Sequence, residues 1–517
     1  MRNLSLLAAL LLMMTGVCPL RALNWDFQTV RDAYFTAVAR SVTVGTDGRV
    51  HVVYSALPEF GNEAELDHAV RTPATSWVVT TLASIPSSNL YGSAAVKCDS
   101  FQHPYVIYRQ PSGGVQFRRH TGTAWASAVN FAGSGGSSQT LAVAIDSAND
   151  LHLGYTVTGG TLRYAFWDRS ASSISYRDEV HDFTYVFEQV SLLLHPTSER
   201  PRMTYSRNGH LTYAVRGSTV TSAWTSEIVR SNSVSANSIA GGSMAFKGTT
   251  AYASYYDPAN QSVYLASDSG NPWARELVGS FDMESVSSIS PATRLFFDSA
   301  ERPYIVWRRS GGDLYVSSKR GSSWKTALIA HTSEADFGAA MHADRLYVAY
   351  ATPDRTTVRL ATAGVSPAAE FGGWAESVFT PTQLADPLVS GVEADPDLDG
   401  VANLLEFAFN MPPLNAGVQT MAPGTGTQGL PASTLEIGAG GAAVIRIEFL
   451  RRRATVNSGL TYQAEFSSSM TSGTWTPAGG TTTVTPINDD WERVVVLDAP
   501  PAGSQRRFVR VRVTQEL

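Results

Sequence analysis

Charge is scarce in this chain: only 16% of its 517 residues are Asp, Glu, Lys or Arg, and no long basic run occurs. Without such a stripe nothing can neutralise a row of phosphates, so nucleic acid is not the expected partner. Cysteine is scarcer still, with Cys18 and Cys98 alone. Long apolar runs are limited to one, residues 4–17, which excludes a polytopic membrane protein. That run is shorter than the about 20 residues a bilayer-spanning helix needs. It follows Arg2 and precedes Cys18-Pro19-Leu20-Arg21-Ala22, the pattern of a secretory signal cleaved near Ala22. Residues 1–22 are therefore expected to be a signal peptide, leaving a secreted or cell-surface protein with no transmembrane segment after cleavage.

Removing that segment leaves 37 Lys and Arg against 45 Asp and Glu, a net −8. It also leaves Cys98 alone, and one thiol closes no internal disulfide, so packing and metal must supply stability. Cys98 ends an apolar run from Ser93 and is expected to be a buried, inert thiol. What the chain does have is apolar and aromatic side chains: 43% hydrophobic, with 11 Trp, 20 Tyr and 21 Phe. This excludes a disordered chain and leaves ample material for cores.

A period near 50 residues runs through the first two thirds. Its clearest element is a strand ending in an aromatic: Tyr54, Tyr108, Tyr155, Tyr205, Tyr255, Trp307 and Tyr350. An apolar run and an Asp-containing turn often precede the anchor, as at Asp47-Gly48, Asp146-Ser147 and Asp298-Ser299. A third strand follows, then a fourth opening on Trp77, Trp125, Trp224, Trp273 or Trp324, with Tyr176 in that place in the third repeat. Four short strands per unit is the pattern of a propeller blade, and seven units give a seven-bladed β-propeller over residues 23–368. The seventh unit lacks its own fourth strand, and residues 25–30, led by Trp25, are expected to supply it and close the ring.

The turns before the Trp strands, best seen in Asp268-Ser-Gly270-Asn-Pro-Trp273, resemble the Asp-box of sialidase-like (BNR-type) propellers of secreted bacterial proteins. In that family the box is a structural turn away from the active face. Its arginine triad finds no residue-by-residue match here.

The sharpest motif is Asp395-Pro-Asp397-Leu-Asp399-Gly400-Val401-Ala-Asn403-Leu-Leu-Glu406. A hard cation wants six or seven oxygens, and this twelve-residue loop offers them: Asp395, Asp397 and Asp399, the Val401 carbonyl, Asn403 through water, and Glu406 with both oxygens. A structural calcium is expected. The loop resembles dockerin-like or thrombospondin-type-3-like calcium segments, which implies a small helical spacer over residues 369–413. Residues 414–432, rich in Gly, Pro and Thr, are expected to form a flexible linker. Alternating runs over residues 433–517 indicate a C-terminal antiparallel β-sandwich, so the whole is an all-β protein with one calcium-loop helical spacer.

A propeller carries function on the loops at one face. There the repeat places Arg109, Arg207, Arg308 and Arg309 just after the aromatic anchors, with Tyr185 and Tyr256 near them. Arginine beside aromatics suits carboxylated or sulfated sugars, through forked hydrogen bonds and ring stacking. The expected function is a secreted glycan- or surface-binding protein, whose partner is an extracellular glycan or cell-surface component, with a monomer as the default state. The alternative is a polysaccharide lyase or sialidase-like glycoside hydrolase acting on an acidic glycan. His68, His181 and His210, near strand ends, are the histidines that could serve a lyase as base, whereas His51 and His152 read as structural.

Overall fold

The computed structural model describes the chain apart from residues 1–22, 24, 33, 59–62, 73–75, 87–92, 111–113, 132–139, 158–160, 182–189, 208, 220, 232–241, 271, 282–292, 310–311, 321–322, 333–335, 366–369, 418, 438–442, 471–474, 478, 499–506 and 516–517. The signal-like segment therefore lies outside the described residues. Among those described, no helix is long and apolar enough to cross a membrane.

Seven four-stranded antiparallel sheets span residues 26–364, each a meander in chain order save one. The exception is the seventh, where Asp26–Arg31 from the start of the chain pairs with Val358–Gly364. The first strands of the seven sheets are Tyr34–Val44, Ala94–Cys98, Leu141–Ile145, Val190–Leu194, Met244–Lys247, Thr293–Phe297 and Gly338–His342. Each touches the next, and the seventh touches the first, so together they line a channel of about 760 Å³. Closing the sequence on itself in this way leaves no sheet with a missing outer strand.

Cores form between neighbouring sheets because strand alternation sends each aromatic anchor to an interface. Tyr54, Tyr108, Tyr155, Tyr205, Tyr255, Trp307 and Tyr350 are all buried. Polar bonds then lock neighbours together at three radii. Along the channel, Ser41 Oγ accepts from Val96 N (3.2 Å), Ser191 Oγ from Met244 N (3.2 Å) and Ser243 Oγ from Leu295 N (3.0 Å). At the rim, Trp273 Nε1 donates to Glu227 and Trp324 Nε1 to Glu276, each at 2.8 Å, joining the outer strands of sheets four to six.

The third lock lies in the turns between first and second strands. Asp47, Asp99, Asp146 and Asp298 each accept a backbone N–H within their own turn. A residue at positive φ completes most of these turns: Gln102 (65°), Asn149 (65°), Glu199 (51°) and Asp344 (52°). Its side chain reaches back to the preceding sheet. Thr46 N donates to Gln102 Oε1, Ser100 N to Asn149 Oδ1, Ser147 N to Glu199 Oε1 and Ser299 N to Asp344 Oδ1, at 2.7–2.9 Å. The same short polar or amide side chains that tolerate the left-handed conformation thus become inter-sheet clamps.

The outer strands carry one device repeatedly. In sheets one, three, four, five and six a bulge inserts one apolar residue, Leu82, Val180, Val229, Val278 or Ile329. Leu82, Val278 and Ile329 are buried, so each bulge bends the edge and tucks a side chain inward.

Beyond residue 370 come four short helices, Phe371–Val378, Pro381–Leu384, Pro387–Ser390 and Asn403–Ala408. Asp386 caps the third by accepting Leu388 N at 3.0 Å, with Pro387 in the first turn, the usual start chemistry. Two sheets follow, one ordered Ala432–Ile437, Ala443–Arg452, Trp491–Leu497, Thr482–Pro486, the other Thr476–Pro477, Leu460–Ser467, Phe508–Gln515. One core joins helices and sheets: Phe371, Ala375, Phe407 and Phe409 pack with Ile447, Phe449, Phe466 and Val494.

Residues 414–432 depart from the expected flexible linker. Met421 is buried, its N–H bonds Leu430 O, Gly429 N bonds Phe409 O, and Gly424 N bonds Glu448 Oε1. The segment is tied down because backbone groups of this small-residue chain find partners on the adjoining core, which composition alone does not reveal. The helical segment is likewise part of the C-terminal core and not a separate spacer. Asn457 Nδ2 to Gly364 O (2.8 Å) and Arg345 Nη2 to Asp489 O (3.4 Å) connect this unit to the sheets before it.

Candidate ligand-binding and metal sites

The acidic loop is built by local chemistry. Asp395 accepts Asp399 N (3.2 Å) and Gly400 N (2.8 Å), and Asp399 accepts Val401 N (2.9 Å). Gly400 sits at φ +89°, where a side chain would be strained. The result gathers carboxylate oxygens of Asp395, Asp397 and Asp399 within 4.8 Å of one another.

Glu406 arrives from the helix Asn403–Ala408 and is fully buried. Both of its carboxylate oxygens, and Asp397 Oδ2, have no hydrogen-bond partner. Burial and the three aspartates push the Glu406 carboxyl up to about 8. A buried carboxylate with two unpartnered oxygens beside three acids is costly alone and is relieved by a cation. Asn403 Nδ2 donates to Val389 O and Gly391 O at 2.9 Å each, while its Oδ1 has no partner. Its first role is thus to fix the neighbouring helix, and one oxygen remains. The donor set is all oxygen, which fits a hard divalent ion.

The residues expected on the ring's loop face divide sharply. Arg109 ends the strand Pro104–Arg109 in the second sheet, and partial burial lowers its guanidinium below the usual arginine range. Arg207 ends Pro201–Arg207 in the fourth sheet, and its side chain lies outside the described residues. Arg308 ends Pro303–Arg308 in the sixth, and Arg309 follows it. The four are thus spread over three sheets.

Tyr256, expected on the face, is instead 2% exposed and packed with Val263 and Trp307, because its position in the strand points between the sheets. Tyr185 lies outside the described residues. His68 is also corrected: it is buried in the first sheet, its Nε2 2.9 Å from His51 Nδ1. Burial lowers His51 to about 4 and His68 to about 3. His152 bonds Tyr164 Oη (2.7 Å) and Asp146 (3.1 Å), a structural role. Cys98, expected to be buried, is half-buried; desolvation and the neighbouring Asp47 and Asp99 push its thiol up to about 12, which disfavours the thiolate.

One recess does join the expected ingredients. Ser280, Phe281, Trp307, Arg309, Tyr315 and Thr326 line a cavity of about 210 Å³ between sheets five and six. Trp307, 1% exposed, lies beneath it, stacked on Tyr315 with ring centroids 4.9 Å apart and tilted by 30° against Phe281 at 4.1 Å. Ser317 Oγ accepts Trp307 Nε1 at 2.9 Å, so the indole carries no unmet donor. The backbone of Arg309 is fixed by Arg309 N to Asp313 O (2.8 Å) and Gly312 N to Arg309 O (3.1 Å). Next to the lining residue Tyr315, Asp313 Oδ1 is 2.6 Å from His331 Nδ1, and Tyr315 Oη donates to Asp313 Oδ2 at 3.5 Å.

Sequence reasoning missed Phe281, Asp313, Tyr315 and His331. Tyr315 was recoverable, since it opens a strand directly opposite Trp307. Phe281 belongs to another sheet and carried no such signal.

No family model matches this chain, and no curated protein matches it. Solved structures do. AofleA from Arthrobotrys oligospora is 12% identical, with 60% of this chain and 90% of that one aligned at a TM-score of 0.40. The SapL1 lectin in complex with α-methyl fucoside is 11% identical over 58% of this chain and 98% of its own, at 0.41. The fungal lectin of Aleuria aurantia, a six-bladed β-propeller with a fucose recognition mode, is 12% identical over 59% and 99%, at 0.38.

Proposed function

We propose that this is a secreted glycan- or surface-binding protein: a seven-bladed β-propeller, closed by its own N-terminal strand, carrying a calcium-stabilised C-terminal β-sandwich. The observation that carries the glycan reading is the recess between sheets five and six, where Arg309 borders the half-buried rings of Phe281 and Tyr315, both packed on the buried Trp307. An aromatic face accepts the apolar side of a sugar ring, and a guanidinium orients its polar groups. Calcium would be held by Asp395, Asp397, Asp399, the Val401 carbonyl, Asn403 and Glu406, with the unpartnered Glu406 oxygens as the support. Its role is structural, since the loop belongs to the C-terminal core.

A lyase is the second reading, favoured by the Asp313–His331 pair beside Tyr315, which is the arrangement of an oriented general base. The sialidase-like reading draws less support, because the arginine triad of that family finds no residue-by-residue match in this sequence. The test is retention of the protein, in millimolar calcium, on anionic and neutral polysaccharides, while reducing ends and unsaturated uronates are followed. Retention without product is the expected result. Product from any polymer overturns the binding reading in favour of an enzyme, and neither retention nor product refutes both.

A further inference from the structure

We propose that the recess between sheets five and six selects sugars bearing an anionic group, carboxylate or sulfate ester, and that His331 keeps Arg309 available for it. This rests on the glycan reading above and names the ligand class and a positioning residue for that site.

The argument begins with Arg309. Among the described residues no hydrogen bond or ion pair occupies its guanidinium, although its backbone is held at both ends of a tight turn. The carboxylate joined to it through the backbone is Asp313, whose carbonyl accepts Arg309 N in the same turn. That carboxylate is engaged elsewhere, with one oxygen against His331 Nδ1 and the other accepting Tyr315 Oη. A cation anchored through its backbone, beside aromatic rings, with its neighbouring acid diverted, is arranged to receive an external anion through a two-pronged hydrogen bond. The cavity, about 210 Å³, lies below the range usual for drug-sized ligands and so suits one sugar ring. The chain's net charge of −6 argues against general adsorption to polyanions, so capture of one requires a local cation.

His331 acts through Asp313. Its removal would free a carboxylate to fold onto Arg309, whereas Asn at that position can still donate to Asp313 through its amide. The test is equilibrium binding of the full chain to polygalacturonate, dextran sulfate and neutral dextran. Wild type is expected to bind at least one charged polymer and to bind dextran much more weakly. R309A should lose about tenfold or more on the charged polymer. H331A should lose roughly threefold to tenfold, with H331N recovering most of it. The two charged polymers separate a carboxylate site from a sulfate site. Equal binding of dextran, or charged binding unchanged in R309A, overturns the anion site while leaving the glycan reading intact. Binding of none of the three overturns both. Charged binding that R309A abolishes and H331A leaves unchanged supports the site and refutes the role of His331.

Discussion

Acidification should unfold this protein through one buried pair in the first sheet. His51 Nδ1 and His68 Nε2 lie 2.9 Å apart, both side chains are buried, and His51 Nε2 has no partner. The groups around them are Asp47, which favours the charged His51, and Arg49 and His120, which oppose it. Burial dominates, holding His51 near 4 and His68 near 3 against an ordinary 6.5. Because both folded values are depressed, the unfolded chain takes up protons first as pH drops below 6.5. The pair's contribution to stability is thus complete above that pH and is lost as pH falls towards 4. Each histidine contributes about 1.4 kcal/mol per pH unit once well below 6.5, so two cost about 4 kcal/mol by pH 5. The assay is the urea midpoint at half-unit steps from pH 7 to 4.5, in millimolar calcium to keep the acidic loop out of the titration. H68Q retains a hydrogen-bonding partner for His51 and removes one titrating group, so the slope with pH should fall to about half. A midpoint that does not move between pH 6.5 and 5, or an H68Q variant with the full slope, would refute the reasoning.

Ring closure gives a second expectation. A Cβ on Gly338 would lie 2.7–2.8 Å from the Ser41 and Val42 backbone, so G338A should cost about 1–3 kcal/mol. G372A, in a helix with open space around it, should instead gain up to about 1 kcal/mol, and urea midpoints would separate the two. At the rim, E276A removes the acceptor of Trp324 Nε1 and the partner of Lys319, for a loss of about 1–2 kcal/mol, whereas E276Q should keep most of it. Chelation should lower the melting temperature of the C-terminal unit, since 10 mM calcium at a dissociation constant near 0.1 mM supplies about 2.7 kcal/mol. E406Q should abolish the difference between calcium and chelator, and an unchanged calcium shift in that variant would sink the assignment.

Strand content and repeat were legible because they are local. Each anchor is set by alternation over four or five residues, and four of the seven turns by an Asp that accepts a backbone N–H of its own turn, so a period near 50 could be read directly. The closing strand led by Trp25 followed by counting, and it pairs with Val358–Gly364. The acidic loop was legible for the same reason, since twelve consecutive residues carry its whole donor set.

Environment was not legible, because it is decided between segments far apart in the chain. Tyr256 and His68 have the composition of site residues, but packing against neighbouring strands buries both. Residues 414–432 read as a linker until Phe409 and Glu448 supply partners for their backbone. Arg309 looked like three other arginines, and the distinction lies in what surrounds it: Phe281 from the preceding sheet and Asp313 diverted by His331. By itself the sequence determined which residues form strands, turns and an oxygen-rich loop, since short-range sterics and periodicity govern these. Only the tertiary structure decided which polar groups are satisfied internally and which are left to meet a ligand, since desolvation and pairing depend on neighbours brought together across the ring.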